Sequence, residues 1–218
     1  MATRALDAGL GQRLDTRSRR YDPAETRQRV LAAANMLFSS RGFSGTGTAD
    51  IAREADVSEG SIFYHFGSKK NLLAELGRSY GEAMIAAMQQ DDTLEALEPG
   101  IIIPRVFEFC LNNNMWEAVT GSECEVGVPA MHKNPEGEPF YKASKDTTNA
   151  WIAHQMAVAF AARGITGIDI DMASSFTHHV VGDAIELFLT APDDAARERV
   201  VTETVRFVRA ACGYPTNH

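Results

Sequence analysis

The chain has 218 residues, 44% of them hydrophobic and 23% charged, which is enough apolar material to bury a substantial core and argues against disorder as the dominant state. No apolar run approaches the roughly 20 residues that a membrane span needs, and no apolar export segment follows the arginines of residues 1–20, so a cytoplasmic protein with no membrane partner is expected. The net charge of −8 looks wrong for a nucleic-acid binder until it is divided: twelve Lys and Arg meet nine Asp and Glu over residues 1–80, whereas nine meet twenty over residues 81–218. A basic N-terminal part on an acidic body can approach a polyanion in one orientation only.

Residues 1–22 contain Arg4, Arg13, Arg17, Arg19 and Arg20 but no apolar periodicity, and are expected to form a mobile arm. Asp22 and Pro23 then open a helix predicted over about 24–41, with Val30, Leu31, Ala33, Ala34, Leu37 and Phe38 at helical spacing and Gly42 as its stop. After the turn Gly45–Thr48, Ile51, Ala52 and Ala55 predict a short second helix over 48–55. Asp56 and Val57 make the next turn, and Ser58 caps a third helix over 59–65, with Ile62, Phe63 and Phe66 assigned to the core. Gly67 ends that helix, and Ser68 caps a fourth that runs from Lys69 through Leu72, Leu73, Leu76, Tyr80 and Met84 to Met88. Two short helices joined by a tight turn have the size and spacing of a DNA-reading helix-turn-helix.

Farther along, Pro99 and Gly100 are expected to break the chain before a helix over about 104–119. Residues 121–139 are expected as loop or short turns. Helices follow over about 139–163, 171–190 and 193–211, the last opened by Asp193. The fold class is therefore all-α: an N-terminal three-helix helix-turn-helix domain joined by a long fourth helix to a C-terminal helical ligand-binding and dimerisation domain. The expected division is an arm over 1–22, the DNA-binding domain over 23–70 and the second domain over 71–218. Cys110, Cys124 and Cys212 form no C-x-x-C pair and are expected to be small buried side chains. Glu123 and Glu125 disfavour a thiolate at Cys124.

Several runs resemble the TetR family of bacterial one-component regulators: Arg29–Ala34, Leu37-Phe38, Gly42-Phe43, Thr46, Asp50–Ala52, Ala55–Ser58, Gly60–Phe66 and Ser68–Leu73. The resemblance covers about residues 26–76 without a gap. It implies that the first turn and outer face of the third helix enter the major groove, where Glu59, Gly60, Ser61 and Tyr64 reach base edges, with Ser58 at the head of the same helix. Glu59 either accepts from cytosine or is a carboxylate held off by phosphates. The family usually has Tyr where this chain has Phe63. Thr48, His65 and Lys69 match family positions that hold phosphates. Lys69 and Lys70 also lie at a helix N-terminus, which favours an anion on physical grounds alone. Arg19 and Arg20 either follow the DNA as part of the arm or belong to a non-contacting tail.

One short recognition helix reads few base pairs, so a homodimer on a palindromic double-stranded operator is expected. The last two helices are the candidate dimer surface by similarity to the family. Val180, Val181, Ile185, Phe188, Val200, Thr204, Val205 and Val208 supply stripes that serve either that surface or the domain's own core. For a mostly apolar effector pocket the candidates are Met84, Met88, Phe107, Cys110, Leu111, Met115, Trp116, Trp151, Gln155, Met156 and Phe176. His179 and Asp183, one helical turn apart, either anchor the ligand's polar end or form a buried pair or dimer contact. No cofactor, metal or catalytic residue is expected. The expected function is a repressor released from its operator by a small apolar or amphipathic effector. The alternatives are a metal- or redox-responsive regulator or an activator, with an enzyme as the remaining one.

Overall fold

The computed structural model describes residues 22–89, 97–113 and 135–214. Eight helices and no strand are found among them: α1 (Pro23–Arg41), α2 (Thr48–Glu54), α3 (Glu59–Phe66), α4 (Lys69–Met88), α5 (Pro99–Asn112), α6 (Glu138–Arg163), α7 (Ile170–Leu189) and α8 (Asp194–Ala211). The fold is all-α, a helix-turn-helix head followed by a helical body.

Short polar side chains start the head helices by satisfying N–H groups that a first turn leaves open. Asp22 accepts from the Ala24 and Glu25 amides at 2.9 and 3.3 Å, Ser58 from Ser61 at 3.2 Å and Ser68 from Asn71 at 3.1 Å. Asp56, at φ 52°, turns the chain between α2 and α3 in the left-handed region that Asp tolerates better than most residues. The Val57 amide then donates back to Ala52 O at 3.0 Å.

Val30, Phe38, Ile51, Ile62, Leu72 and Leu73 are almost fully buried together in the head core, and Phe140 of α6 belongs to the same cluster. The expected boundary at residue 70 thus falls inside α4, whose Leu72, Leu73 and Leu76 complete the head before the helix continues into the body. A second core joins Ile103, Phe107, Met156, Phe160, Phe188 and Val208 across α5, α6, α7 and α8.

Helix α4 makes its most extensive contact with α6. Gly77 and Gly81, one turn apart on α4, allow it: a Cβ at Gly77 would stand 2.1 Å from the Phe140 carbonyl oxygen, and one at Gly81 would stand 3.1 Å from that of Ser144. The two backbones therefore touch where other helix pairs place side chains.

Two expectations need correction. Pro99 and Gly100 do not interrupt the chain: Pro99 occupies the first helical position, where its missing N–H costs nothing, and the Glu98 carboxylate accepts from the Gly100 amide at 2.7 Å. The helix therefore begins at Pro99 and ends at Asn112, with residues 114–119 outside the described residues. Phe63 is not core but 48% exposed, because an eight-residue helix has one buried face and Ile62 and Phe66 already occupy it. Of the two readings left open for the α7 and α8 stripes, core holds for Val181, Ile185, Phe188, Val200, Val205 and Val208; other apolar residues, Met172, Phe176, Leu187 and Phe207, stand exposed.

Replacing Gly77 by Ala would force α4 and α6 apart and should lower stability by about 1–3 kcal/mol, the usual cost of overpacking. A urea midpoint equal to that of the parent chain would show that the backbones do not meet there.

Candidate functional site

The exposed face of the head is built on α2 and α3. Tyr64 is 79% exposed, its ring edge-on to His65 at 5.1 Å. Ser58 and Ser61 hydroxyls lie 2.9 Å apart, and the Thr48 hydroxyl at the start of α2 donates to the Glu59 carboxylate across the turn. Glu59 is thereby held by a partner on α2. Gly60 leaves its surroundings open, with no atom closer than Ser58 Oγ at 3.8 Å to an added Cβ. His65 is half-buried, and Lys70 is exposed in the first turn of α4.

Lys69 has a local task. Its ammonium donates to the Phe43 and Thr46 carbonyls, both at 2.9 Å, and lies 4.1 Å from the centre of the Phe43 ring. It thus closes the α1–α2 turn, where the buried Thr46 hydroxyl also donates to Gly42 O at 2.9 Å. Arg29 does the same for the end of α2, donating to Ala55 O at 3.2 Å and Asp56 O at 3.4 Å. The presented face is therefore positioned by clamps beneath it. Arg19 and Arg20 lie outside the described residues.

A cavity of about 220 Å³ opens in the body between α4, α5, α6 and α7, with Val208, Cys212 and Tyr214 at one wall. Of the expected pocket residues, Met84, Met88, Cys110, Trp151, Gln155, Met156, His179 and Asp183 line it. Three others do not. Phe107 is 1% exposed and packs edge-on against Phe188 at 4.9 Å, inside the second core. Leu111 and Phe176 point outward. Met115, Trp116 and Cys124 lie outside the described residues. Trp151 closes the cavity toward the end of α4 by donating to Gln89 Oε1 at 3.2 Å.

Sequence reasoning missed most of the polar lining: Tyr80, Tyr141, Lys145, Thr148, His178 and Glu186. His178 and His179, adjacent on α7, both border the cavity, their rings 6.0 Å apart. Tyr80 donates to Cys110 Sγ at 3.9 Å. Burial pushes the Tyr80 phenol well above its usual range and the Cys110 thiol up to about 11. Both stay protonated, so this thiol is a poor nucleophile and a poor redox switch. Cys212 is likewise pushed up by burial. Among the described residues no group of three or more His, Cys, Asp or Glu is placed to hold a metal ion, and no helix is long and apolar enough to cross a membrane.

Burial, then the charge of Lys145 and the neighbouring His179, lowers the pKa of His178 from 6.5 to about 4. Between those values the unfolded chain binds a proton at this position that the folded chain does not, so stability falls as pH drops through that window. Replacing His178 by Asn should shrink the stability lost between about pH 7 and about pH 5. An equal loss in both proteins, read from urea midpoints, would assign the acid sensitivity elsewhere.

Residues 30–76 match the family described as bacterial regulatory proteins, tetR family. The HTH-type transcriptional regulator AcrR of Shigella flexneri is 40% identical over 60 residues, a segment that spans 28% of this chain and 28% of that protein. The HTH-type transcriptional regulator LmrA of Bacillus subtilis is 40% identical over 130 residues, 58% of this chain and 67% of that protein. The transcriptional regulator FadR from Bacillus subtilis, solved in complex with stearoyl-CoA, superposes with a TM-score of 0.57 at 15% identity, covering 84% of this chain and 98% of that one, a likeness of fold. With its helix-turn-helix head and helical body, the chain belongs to the TetR family of bacterial transcriptional regulators.

Proposed function

We propose that the protein is a homodimeric repressor that leaves a palindromic operator when a small, mostly apolar effector fills the body cavity. The observation that carries this reading is the course of α4. Its first turns lie in the head core, and its later turns supply Tyr80, Met84 and Met88 to the cavity wall. An occupant that prefers one setting of α4 biases the head by that same preference, which is the thermodynamic content of ligand response. A coupling of about 1–3 kcal/mol gives a response of roughly tenfold or more. In this proposal the DNA-binding domain spans 23–70, with the Leu72–Leu76 turns of α4 completing its core, the ligand-binding and dimerisation domain spans 71–218, and the arm over 1–22 adds a DNA contact through Arg19 and Arg20.

On the head, Tyr64, Ser61 and Gly60 are the base-reading positions in this proposal, and the exposed Phe63 adds an apolar face suited to thymine methyls. Thr48, Ser58, His65 and Lys70 serve the phosphate backbone. Lys69 contributes charge while holding the turn beneath them. Glu59 takes the Thr48 hydroxyl proton in the free protein, so a phosphate contact by Thr48 requires that bond to open. Two copies meet through the exposed faces of α7 and α8, where Met172, Phe176 and Leu187 recur along one side of α7 and Phe207 stands on α8. No enzymatic step, cofactor or metal takes part in this proposal.

Replacing Tyr64 by Ala should weaken binding to the operator upstream of the protein's own gene at least about tenfold, the worth of one good base contact. Its melting temperature should stay unchanged because the ring is exposed. Undiminished selectivity in a fluorescence-anisotropy titration would remove α3 from DNA reading. The substitution Phe207→Asp should convert the dimer to monomer in sedimentation experiments and abolish tight operator binding. A variant that remains dimeric would place the interface elsewhere.

A further inference from the structure

We infer that the effector is an amphipathic monocarboxylate, its head group held by Lys145 beside His178 and Thr148 and its hydrocarbon part lying against the methionines and Phe160; this rests on the ligand-responsive reading above. Lys145 is half-buried in the wall of the cavity. Among the described residues its ammonium has one hydrogen-bonding neighbour, His179 Nε2 at 3.3 Å. Because His179 Nδ1 donates to the Ser175 carbonyl at 2.7 Å, Nε2 carries the lone pair and Lys145 donates to it. No carboxylate among the described residues lies within ion-pair distance of Lys145, whereas Lys142, fully on the surface one turn earlier, pairs with Asp146 at 2.6 Å. A half-buried cation whose described partner is an imidazole and not a carboxylate is an unbalanced arrangement that an incoming anion corrects.

The surroundings agree with an anion at this place. Thr148 Oγ1 donates to the Ser144 carbonyl at 3.0 Å and lies 3.5 Å from His178 Nδ1, which leaves Lys145 as the head-group donor on this part of the wall. The charge of Lys145 helps keep His178 neutral, which marks the local potential as positive. Asp183 and Glu186 also line the cavity, but one and two turns beyond His179 along α7. Asp183 acts on Tyr141, whose phenol is raised by burial and by that carboxylate. They discourage a second negative charge. A single ammonium with no arginine beside it suits a carboxylate better than a phosphate dianion. Met84, Met88, Val106, Met156 and Phe160 complete an apolar wall for a hydrocarbon chain.

Isothermal titration of the full chain with octanoate and with 1-octanol tests the assignment, since the two probes share a chain and differ in head group. Octanoate should bind about tenfold or more tightly than the alcohol, as a charge-assisted contact requires. The ratio should fall near one in Lys145→Met and persist in Lys145→Arg, with melting curves confirming that each variant folds. Equal binding of the two probes by the parent chain, an unchanged ratio in Lys145→Met, or no octanoate binding would each overturn the inference. Operator release is scored separately by anisotropy. Release by 1-octanol as strong as by octanoate overturns the head-group assignment and leaves the regulatory reading standing. Octanoate binding that leaves operator affinity unchanged does the reverse.

Discussion

The structure depends on the contact between α4 and α6 at Gly77 and Gly81. A helix pair separated by ordinary side chains can slide or tilt by repacking rotamers. Where a glycine lies against a carbonyl oxygen, there is no side chain to absorb the movement. The contact sits between the two cores: one turn before Gly77 the residues of α4 belong to the head, and from Tyr80 onward they border the cavity. Phe140 contributes to the head core from the α6 side, and Tyr80 packs on Phe140 and Phe109 with ring centres 5.5 and 5.2 Å away. Aromatic side chains from three helices thus surround the point where backbone meets backbone.

This junction gives the head and body a shared mechanical element. The Ser44 hydroxyl, in the turn between α1 and α2, donates to Glu136 just ahead of α6, so the head is tied to the body at a second place. Below the exposed face, Lys69 and Arg29 hold the two turns of the helix-turn-helix through backbone carbonyls. The recognition helix is short, and its orientation is inherited from these clamps and from α4. In the proposed response, a change in the setting of α4 would reach α3 through these clamps.

Most of the head was legible in the sequence because its signals are local. Asp22, Ser58 and Ser68 stand where caps are needed, and Gly42 and Gly67 stand where helices stop, so α1, α3 and α4 begin and end within a residue or two of expectation. The start of α5 was misjudged because Pro-Gly reads as a break unless the preceding residue is recognised as a cap, a role Glu98 takes through its carboxylate. Periodicity picked out Met84, Met88, Cys110, Trp151 and Gln155, since a stripe identifies the inward face of a helix. It could not tell cavity from core or surface, and so Phe107, buried against Phe188, and the exposed Leu111 and Phe176 were grouped with them. Lys145, Thr148 and His178 escaped notice because their meaning arises from pairings 30 to 34 residues apart across antiparallel helices. No local pattern records those.

In the proposed response, filling the cavity acts on the head through the α4–α6 junction. Hydrogen–deuterium exchange of the full chain, with and without saturating octanoate, reads this directly, because amide protection reports local opening along each helix. Transmission through the junction requires altered protection in α4 from Leu72 to Gly81 and in the facing first turns of α6, extending into α1 and α3. Changes confined to the cavity-lining turns, with Leu72–Gly81 and the head unaffected, would contradict it.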